Sequence, residues 1–132
     1  MAMTRVKLSA NDLEHMFELR KQFLDALKRR VPSAVHDMPL DPTSRDSQVF
    51  LRETALRGVE EMFEALQVLK NSKVHRQSQL TEFDREHFLE EIVDSFNYFF
   101  NVLLYVGVDT KEFVEAYERK HRIILKRVEE GY

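Results

Sequence analysis

Residues 87–107 read HFLEEIVDSFNYFFNVLLYVG and form the most apolar segment of the chain. At helical spacing, the aliphatic and aromatic side chains of this segment cover more than half of the circumference. A helix this apolar is expected to be buried on several sides, inside a bundle or at an interface between chains. From His87 to Thr110 there is no Lys or Arg. The remaining stripe of carboxylates and amides therefore needs partners from elsewhere, and metal ions would provide them.

Three other segments share this helical periodicity. Together with the apolar segment, the spacing predicts four helices, over about 11–30, 47–71, 84–106 and 110–129. Ser9 or Asn11 can cap the first helix and Thr81 or Asp84 the third, and Asp109 begins a capping box for the fourth. We therefore predict an all-α fold, a helical bundle of four main helices in one domain over 1–132.

Glycine and proline are rare, and their positions are informative. All three prolines fall in the connecting segment 31–46, which we interpret as a lid, an arm across a dimer or simple slack. Gly107 suits the left-handed residue that ends the third helix. Gly58 falls within the second helix, where glycine costs about 1 kcal/mol relative to Ala, and it would allow a close approach of another helix.

Composition argues against several classes of function. The net charge is −3 with no basic stripe, which argues against a nucleic-acid duplex as the main partner. There is no cysteine, so disulfides, thiol catalysis and Cys-based zinc sites are excluded. The longest apolar-rich stretch, 96–108, is interrupted by Asn97 and Asn101 and is too short to span a bilayer. No stretch resembles a signal peptide, so we expect a cytoplasmic protein without a membrane partner.

Two acidic clusters carry the functional signal. The second predicted helix contains Glu60, Glu61 and Glu64, and the third contains Glu91 and Asp94. Residues three or four apart share one helical face, so side-by-side packing of these helices would make the carboxylates converge. Such a group repels itself unless cations neutralise it, and Mg²⁺, with Mn²⁺ as a substitute, is the expected occupant. The alternative is a solvated acidic face.

The pattern Glu-Glu-x-x-Glu, then 26 residues, then Glu-x-x-Asp resembles the signature of the all-α nucleoside triphosphate pyrophosphohydrolases. This superfamily includes the dimeric dUTPases of phage and bacterial type and the MazG proteins. The segment 50–69, FLRETALRGVEEMFEALQVL, is similar to the first metal-binding helix of the family, and the segment 88–108 is similar to the second. The last residues, 117–132, YERKHRIILKRVEEGY, are similar to the C-terminus of the dimeric dUTPases.

The resemblance implies a reaction and assigns residues to it. It implies Mg²⁺-dependent hydrolysis of a deoxynucleoside triphosphate to the monophosphate and pyrophosphate, with Glu60 or Glu61 orienting or deprotonating the attacking water. The implied Mg²⁺ ligands are Glu61, Glu64, Glu91 and Asp94. The implied substrate-binding residues are Gln22, Asn97, Lys120 and Arg127, where Lys120 and Arg127 would hold phosphate. His121 stands where the family carries another residue, and it is a candidate to substitute as a hydrogen-bond donor to the substrate.

The C-terminal segment departs from the family pattern at His121 and Ile124, where the dimeric dUTPases commonly carry asparagines that help to hold the base and sugar. The favoured substrate is dUTP, and a MazG-like enzyme with another or broader dNTP specificity is the first alternative. The second is a non-enzymatic helical protein whose acidic stripe binds a basic partner. We expect a homodimer or a larger homo-oligomer, because the third helix has more apolar surface than a four-helix monomer readily hides.

Overall fold

The computed structural model describes residues 10–131 and is all-helical across that range, which confirms the predicted fold class. The four helices are α1 (Ala10–Arg30), α2 (Arg45–Gln67), α3 (Arg85–Val106) and α4 (Thr110–Glu129). Short 3₁₀ turns follow α1 at Pro32–Ala34 and α2 at Lys70–Ser72.

The packing of α2 against α3 is the most extensive helix contact in the fold. The two helices run antiparallel, and they approach most closely at Gly58, where the Ser95 hydroxyl donates a 2.7 Å hydrogen bond to the Gly58 carbonyl. A Cβ atom at position 58 would lie only 2.8 Å from Cε1 of Phe99. The prediction that Gly58 permits a close helix approach is therefore confirmed.

The hydrophobic core lies between α1, the carboxyl-terminal half of α3 and the loop that joins α1 to α2. Its buried side chains are Phe17, Leu24, Val35, Leu104 and Tyr105. The rings of Phe17 and Phe100 join α1 to α3 at a centroid distance of 5.0 Å. Met16 and Phe23 share the apolar periodicity of α1 but lie about half-exposed, because no other helix within residues 10–131 covers that side of α1.

The proline-containing loop is packed onto its own chain. Val35 is buried in the core, and the backbone N–H of Leu40 donates a 2.7 Å hydrogen bond to the Tyr105 carbonyl. Of the three interpretations of this segment, simple slack is therefore wrong for Val35 and Leu40, which are held by the core and by α3.

Helix boundaries agree with the prediction where capping residues decide them. Asp84 and Asp109 cap α3 and α4 by accepting hydrogen bonds from the N–H groups three residues on, and Gly107 ends α3 at a φ of 84°. The predicted cap Ser9 lies outside the described residues.

The predicted bounds of α2, 47–71, were wrong at both ends. The helix begins at Arg45, because the Ser44 hydroxyl accepts a hydrogen bond from Ser47 N–H and caps it earlier. It ends at Gln67, because the Asn71 side chain forms two hydrogen bonds with the Leu80 backbone instead of extending the helix.

No helix within residues 10–131 is both long enough and apolar enough to cross a membrane.

The close contact at Gly58 generates a stability prediction. Gly58→Ala should lower the free energy of unfolding by about 1 kcal/mol, because overpacking costs about 1–3 kcal/mol and the gain in helix propensity returns about 1 kcal/mol. Urea denaturation measures this difference. In a Phe99→Leu background, where the ring edge is gone, the same substitution should be neutral or stabilising. If Gly58→Ala stabilises the protein with Phe99 present, the contact does not limit the helix approach.

Candidate metal centre

Three carboxylates from two helices meet on one side of the α2–α3 pair. One oxygen each from Glu61, Glu64 and Glu91 lies within 4.8 Å of the others. The i, i+3 spacing places Glu61 and Glu64 on one face of α2, and the antiparallel packing at Gly58 brings Glu91 of α3 opposite them. Of the four predicted metal ligands, the structure brings these three together.

Glu91 is the most constrained member of the group. Its side chain is only 18% exposed, and its Oε1 lies 3.2 Å from Nε2 of His87, one helical turn earlier. Its Oε2 is buried and has no hydrogen-bond partner among residues 10–131. Buried polar atoms are normally paired, and a buried carboxylate oxygen without a partner is costly. A cation at this position would supply the missing interaction.

The electrostatics of Glu61 reflect the same crowding. Burial raises the pKa of the Glu61 carboxyl above its ordinary value, and the negative charges of Glu64, Asp94 and Glu91 raise that pKa further. Ionisation of Glu61 is therefore less favourable here than for an isolated glutamate, and a nearby positive charge would offset that cost.

Asp94, the fourth predicted ligand, lies one turn along α3 from Glu91 but outside the group of three whose oxygens meet. Its charge acts on Glu61, and it also acts on Arg20 of α1. Arg20 is partly buried, donates a 2.7 Å hydrogen bond from Nε to Oδ1 of Asn101, and stacks over the Phe23 ring at 4.3 Å. Burial lowers the pKa of Arg20, but the guanidinium remains a cation at neutral pH.

The donor set fits a hard divalent cation. Carboxylate oxygens are the ligands that Mg²⁺ and Mn²⁺ prefer. Two oxygens on opposite sides of one Mg²⁺ are about 4.2 Å apart, since each Mg–O bond is about 2.1 Å. Only one pair of three ligands can lie on opposite sides, and neighbouring octahedral ligands are about 3.0 Å apart, so the oxygens of Glu61, Glu64 and Glu91, which lie within 4.8 Å of one another, would close in by about 1–2 Å to share one ion. The residues present therefore fit the predicted ion.

An open cleft of about 820 Å³ adjoins the carboxylates and is lined by Glu64 and Glu91. The segment after α2 and the first turn of α3 form its other walls, which include Lys70, Phe83 and His87. Its size lies in the range of small-molecule sites. A ligand in this cleft would meet carboxylates of both helices and of the connector, together with one lysine and one aromatic ring.

The remaining predicted site residues lie apart from this cleft. Glu60 is exposed on α2 beside Glu61, Gln22 is exposed on α1, and Asn97 is half-buried on α3. Lys120, His121 and Arg127 are exposed on α4, which packs mainly against α1. Within one chain, the structure does not bring these three residues to the cleft lining.

Three residues at or near the site were not predicted from sequence. His87 is half-exposed, and its ring contacts Glu91. Lys70 follows α2 in a polar connector, and Arg20 lies on the buried side of α1. The i, i+4 spacing of His87 and Glu91 was the sequence signal that could have identified His87. The position of Lys70 depends on the course of the connector, and that of Arg20 depends on the packing of α1. Helical periodicity specifies neither.

Comparisons of this chain with protein-family models, with curated proteins and with solved structures found no match.

The crowding at Glu61 predicts a pH-dependent effect on stability in the metal-free protein. Because the folded-state pKa of Glu61 is raised, its contribution to stability is lost as the pH rises from about 4.5 through that pKa. Glu61→Gln should therefore raise the free energy of unfolding at pH 7, and this gain should be smaller at pH 4, below the ordinary glutamate pKa of 4.5, where protonation removes most of the charge. Denaturant titrations in EDTA at the two pH values measure the difference.

Glu60→Gln is the matched control, since Glu60 is exposed on the same turn and outside the group of three. A gain from Glu61→Gln that does not change with pH, or an equal gain from Glu60→Gln, would contradict the assignment.

Proposed function

We propose that this protein is a Mg²⁺-dependent pyrophosphohydrolase that cleaves a deoxynucleoside triphosphate, with dUTP favoured, to the monophosphate and pyrophosphate. The observation that carries this proposal is the meeting of Glu61, Glu64 and Glu91 beside a cleft of nucleotide size, with one buried Glu91 oxygen left without a partner. The likeness of the acidic pattern to the all-α nucleoside triphosphate pyrophosphohydrolases supplies the reaction. Action on the nucleotide pool would place the protein in the cytoplasm.

The three carboxylates would hold the metal, and Asp94 would complete the ligand set or balance its charge. Bound Mg²⁺ would neutralise phosphate charge and activate a water molecule for in-line attack. Glu60 or Glu61 would orient that water or accept its proton, since a general base must lie within hydrogen-bond reach of the proton that it removes. His87 would fix the orientation of Glu91 through the contact at Oε1.

The cleft supports a division of roles in substrate binding. Lys70 lines the cleft and offers a cation to the phosphates. Phe83 also lines it, is half-exposed, and offers a ring face for a base. Gln22, Asn97, Lys120, His121 and Arg127 remain candidates for base and phosphate contacts through a rearrangement or a second copy of the chain.

The activity prediction concerns pyrophosphate release with Mg²⁺ across dUTP, dTTP, dCTP, dATP and dGTP. Glu91→Gln and Glu64→Gln should each lower turnover by about 100-fold or more, because removing a metal ligand weakens metal binding at least as much as removing its supporting contact. Glu53→Gln, exposed on α2 away from the group, is the matched control and should keep full activity.

The substrate panel also separates the alternatives. Broad or purine-biased turnover would favour a MazG-like specificity over dUTP. Absence of turnover on every substrate, together with no change in melting temperature on adding Mg²⁺, would favour the non-enzymatic interaction protein.

The proposed phosphate contact predicts a specific kinetic effect for Lys70. Lys70→Ala should raise KM about tenfold or more, the usual consequence of losing a charge-assisted hydrogen bond, and change kcat less. Lys73→Ala, three residues on and outside the lining of this cleft, is the control. A larger KM effect from Arg127→Ala than from Lys70→Ala would assign the phosphate contact to α4 instead.

A further inference from the structure

The connector between α2 and α3 carries positive charge only. Residues 65–81 contain two lysines, one arginine and one histidine but no Asp or Glu, although the whole chain has a net charge of −3. The permanent cations of this segment are Lys70, Lys73 and Arg76. Within residues 10–131, none of the three forms an ion pair. The connector therefore offers cations that carboxylates of the described chain leave unpaired.

Hydrogen bonds fix the course of the connector. The Asn71 side-chain amide donates to the Leu80 carbonyl at 2.8 Å, and the Asn71 side-chain oxygen accepts from the Leu80 N–H at 2.9 Å. These two bonds close the residues between them into a compact surface loop, a kind of loop that is frequently functional. Inside the loop, the Arg76 N–H donates to the Lys73 carbonyl at 3.1 Å and forms a four-residue turn. Such a turn holds the Cα atoms of its first and last residues within about 7 Å, so Lys73 and Arg76 extend from neighbouring points of the backbone.

The loop and the last turns of α2 enclose a second cleft, of about 760 Å³. Lys70, Lys73 and Arg76 all line it, and no carboxylate from residues 10–131 does. We call it the basic cleft. Its apolar wall is formed by four side chains that are each between 39% and 60% exposed: Phe63, Leu66, Leu69 and Leu80. The basic cleft thus combines cations with an apolar surface that has room for a ring.

The basic cleft and the cleft beside the metal centre are neighbours with opposite charge. Gln67, Lys70 and Leu80 line both of them. The cleft beside the metal centre is lined in addition by four carboxylates: Glu64, Glu82, Asp84 and Glu91. In the absence of a metal ion, an anion is therefore repelled from that cleft and attracted to the basic cleft.

We propose that the basic cleft binds a nucleoside monophosphate, without a metal ion, at a site separate from the metal centre. Its phosphate carries a charge of about −1.5 to −2 at pH 7, which Lys73 and Arg76 balance. Arg76 forms paired hydrogen bonds with two phosphate oxygens, and Lys73 adds a point charge. The apolar wall covers the base, for which the half-exposed Phe63 ring provides a stacking surface. The volume of the cleft lies in the range of small-molecule sites, about 300–1,000 Å³, which is far more room than a bare phosphate needs.

Isothermal titration calorimetry with dUMP and with dAMP, in EDTA and low salt, tests this binding in the metal-free protein. The wild type should bind at least one of the two saturably. The double variant Lys73→Ala/Arg76→Ala should bind about 100-fold more weakly, because each lost charge-assisted hydrogen bond costs about tenfold or more. Circular dichroism checks that the variant remains helical.

Arg52→Ala/Arg57→Ala is the matched control, because it removes the same two positive charges from exposed positions on α2 that line neither cleft. Its affinity for the nucleotide should equal that of the wild type. No saturable binding by the wild type, or an equal loss of affinity in both double variants, overturns the proposal.

A ligand series separates a nucleotide site from a general anion site. Inorganic phosphate and deoxyuridine should each bind at least about tenfold more weakly than the better nucleotide, since each lacks one half of the contacts. Phe63→Ala should weaken binding of the nucleotide and leave that of inorganic phosphate unchanged. Inorganic phosphate that binds as tightly as the nucleotide would indicate an adventitious ion only. A single-stranded oligonucleotide that binds about 100-fold more tightly than either nucleotide would assign the cations to nucleic acid, which also overturns the proposal.

The inference does not depend on the proposed activity, and the two fail separately. Glu64 lines only the cleft beside the metal centre, so Glu64→Gln should change metal-free nucleotide binding by less than about threefold. A larger change in that folded variant would place the nucleotide beside the carboxylates and overturn the separate site. Absence of Mg²⁺-dependent turnover, with nucleotide binding in EDTA intact, would contradict the proposed function alone.

Discussion

The close contact between α2 and α3 at Gly58 is the constraint on which the site depends. Only a residue without a side chain lets the Phe99 ring and the Ser95 hydroxyl reach the α2 backbone. At that separation, the carboxylates one and two turns further along α2 reach Glu91 on α3. A wider separation of the helices would leave the same residues as an ordinary solvated acidic face, in which water hydrates each carboxylate.

The α2–α3 pair therefore combines a favourable contact with an unfavourable one. Apolar packing and the Ser95 hydrogen bond draw the helices together, and the carboxylates that meet as a result repel one another. The raised pKa of Glu61 and the unpartnered oxygen of Glu91 are two signs of that cost. The proposed divalent cation would relieve both, and its binding would then be coupled to the stability of the pair.

The two sides of the pair call for different partners. One side presents carboxylates that a cation would stabilise. The opposite side presents exposed aliphatic and aromatic side chains that burial against a partner would stabilise. Helix α4 also remains open to water, because no side chain along Thr110–Glu129 is buried. The fold thus separates a candidate chemical site from a candidate association surface by the width of one helix pair.

Sequence patterns predicted the elements whose determinants are local. The caps at Asp84 and Asp109 and the glycine end of α3 depend on neighbouring residues, and the convergence of Glu61, Glu64 and Glu91 follows from helical spacing once α2 and α3 are paired. The end of α2 was misplaced because Asn71 bonds to Leu80, nine residues away. The exposure of Met16 and Phe23, and the approach of Arg20 to Asn101, depend on how α1 crosses α3, which a helical pattern does not encode.

Direct binding of a divalent cation by Glu91 is the central claim, and an electron paramagnetic resonance titration with Mn²⁺ tests it most directly. The account predicts saturable Mn²⁺ binding to the wild-type protein that Mg²⁺ displaces, and loss of that binding in a folded Glu91→Gln variant. Equal Mn²⁺ binding by the wild type and by Glu91→Gln, or no saturable binding by either, would contradict it.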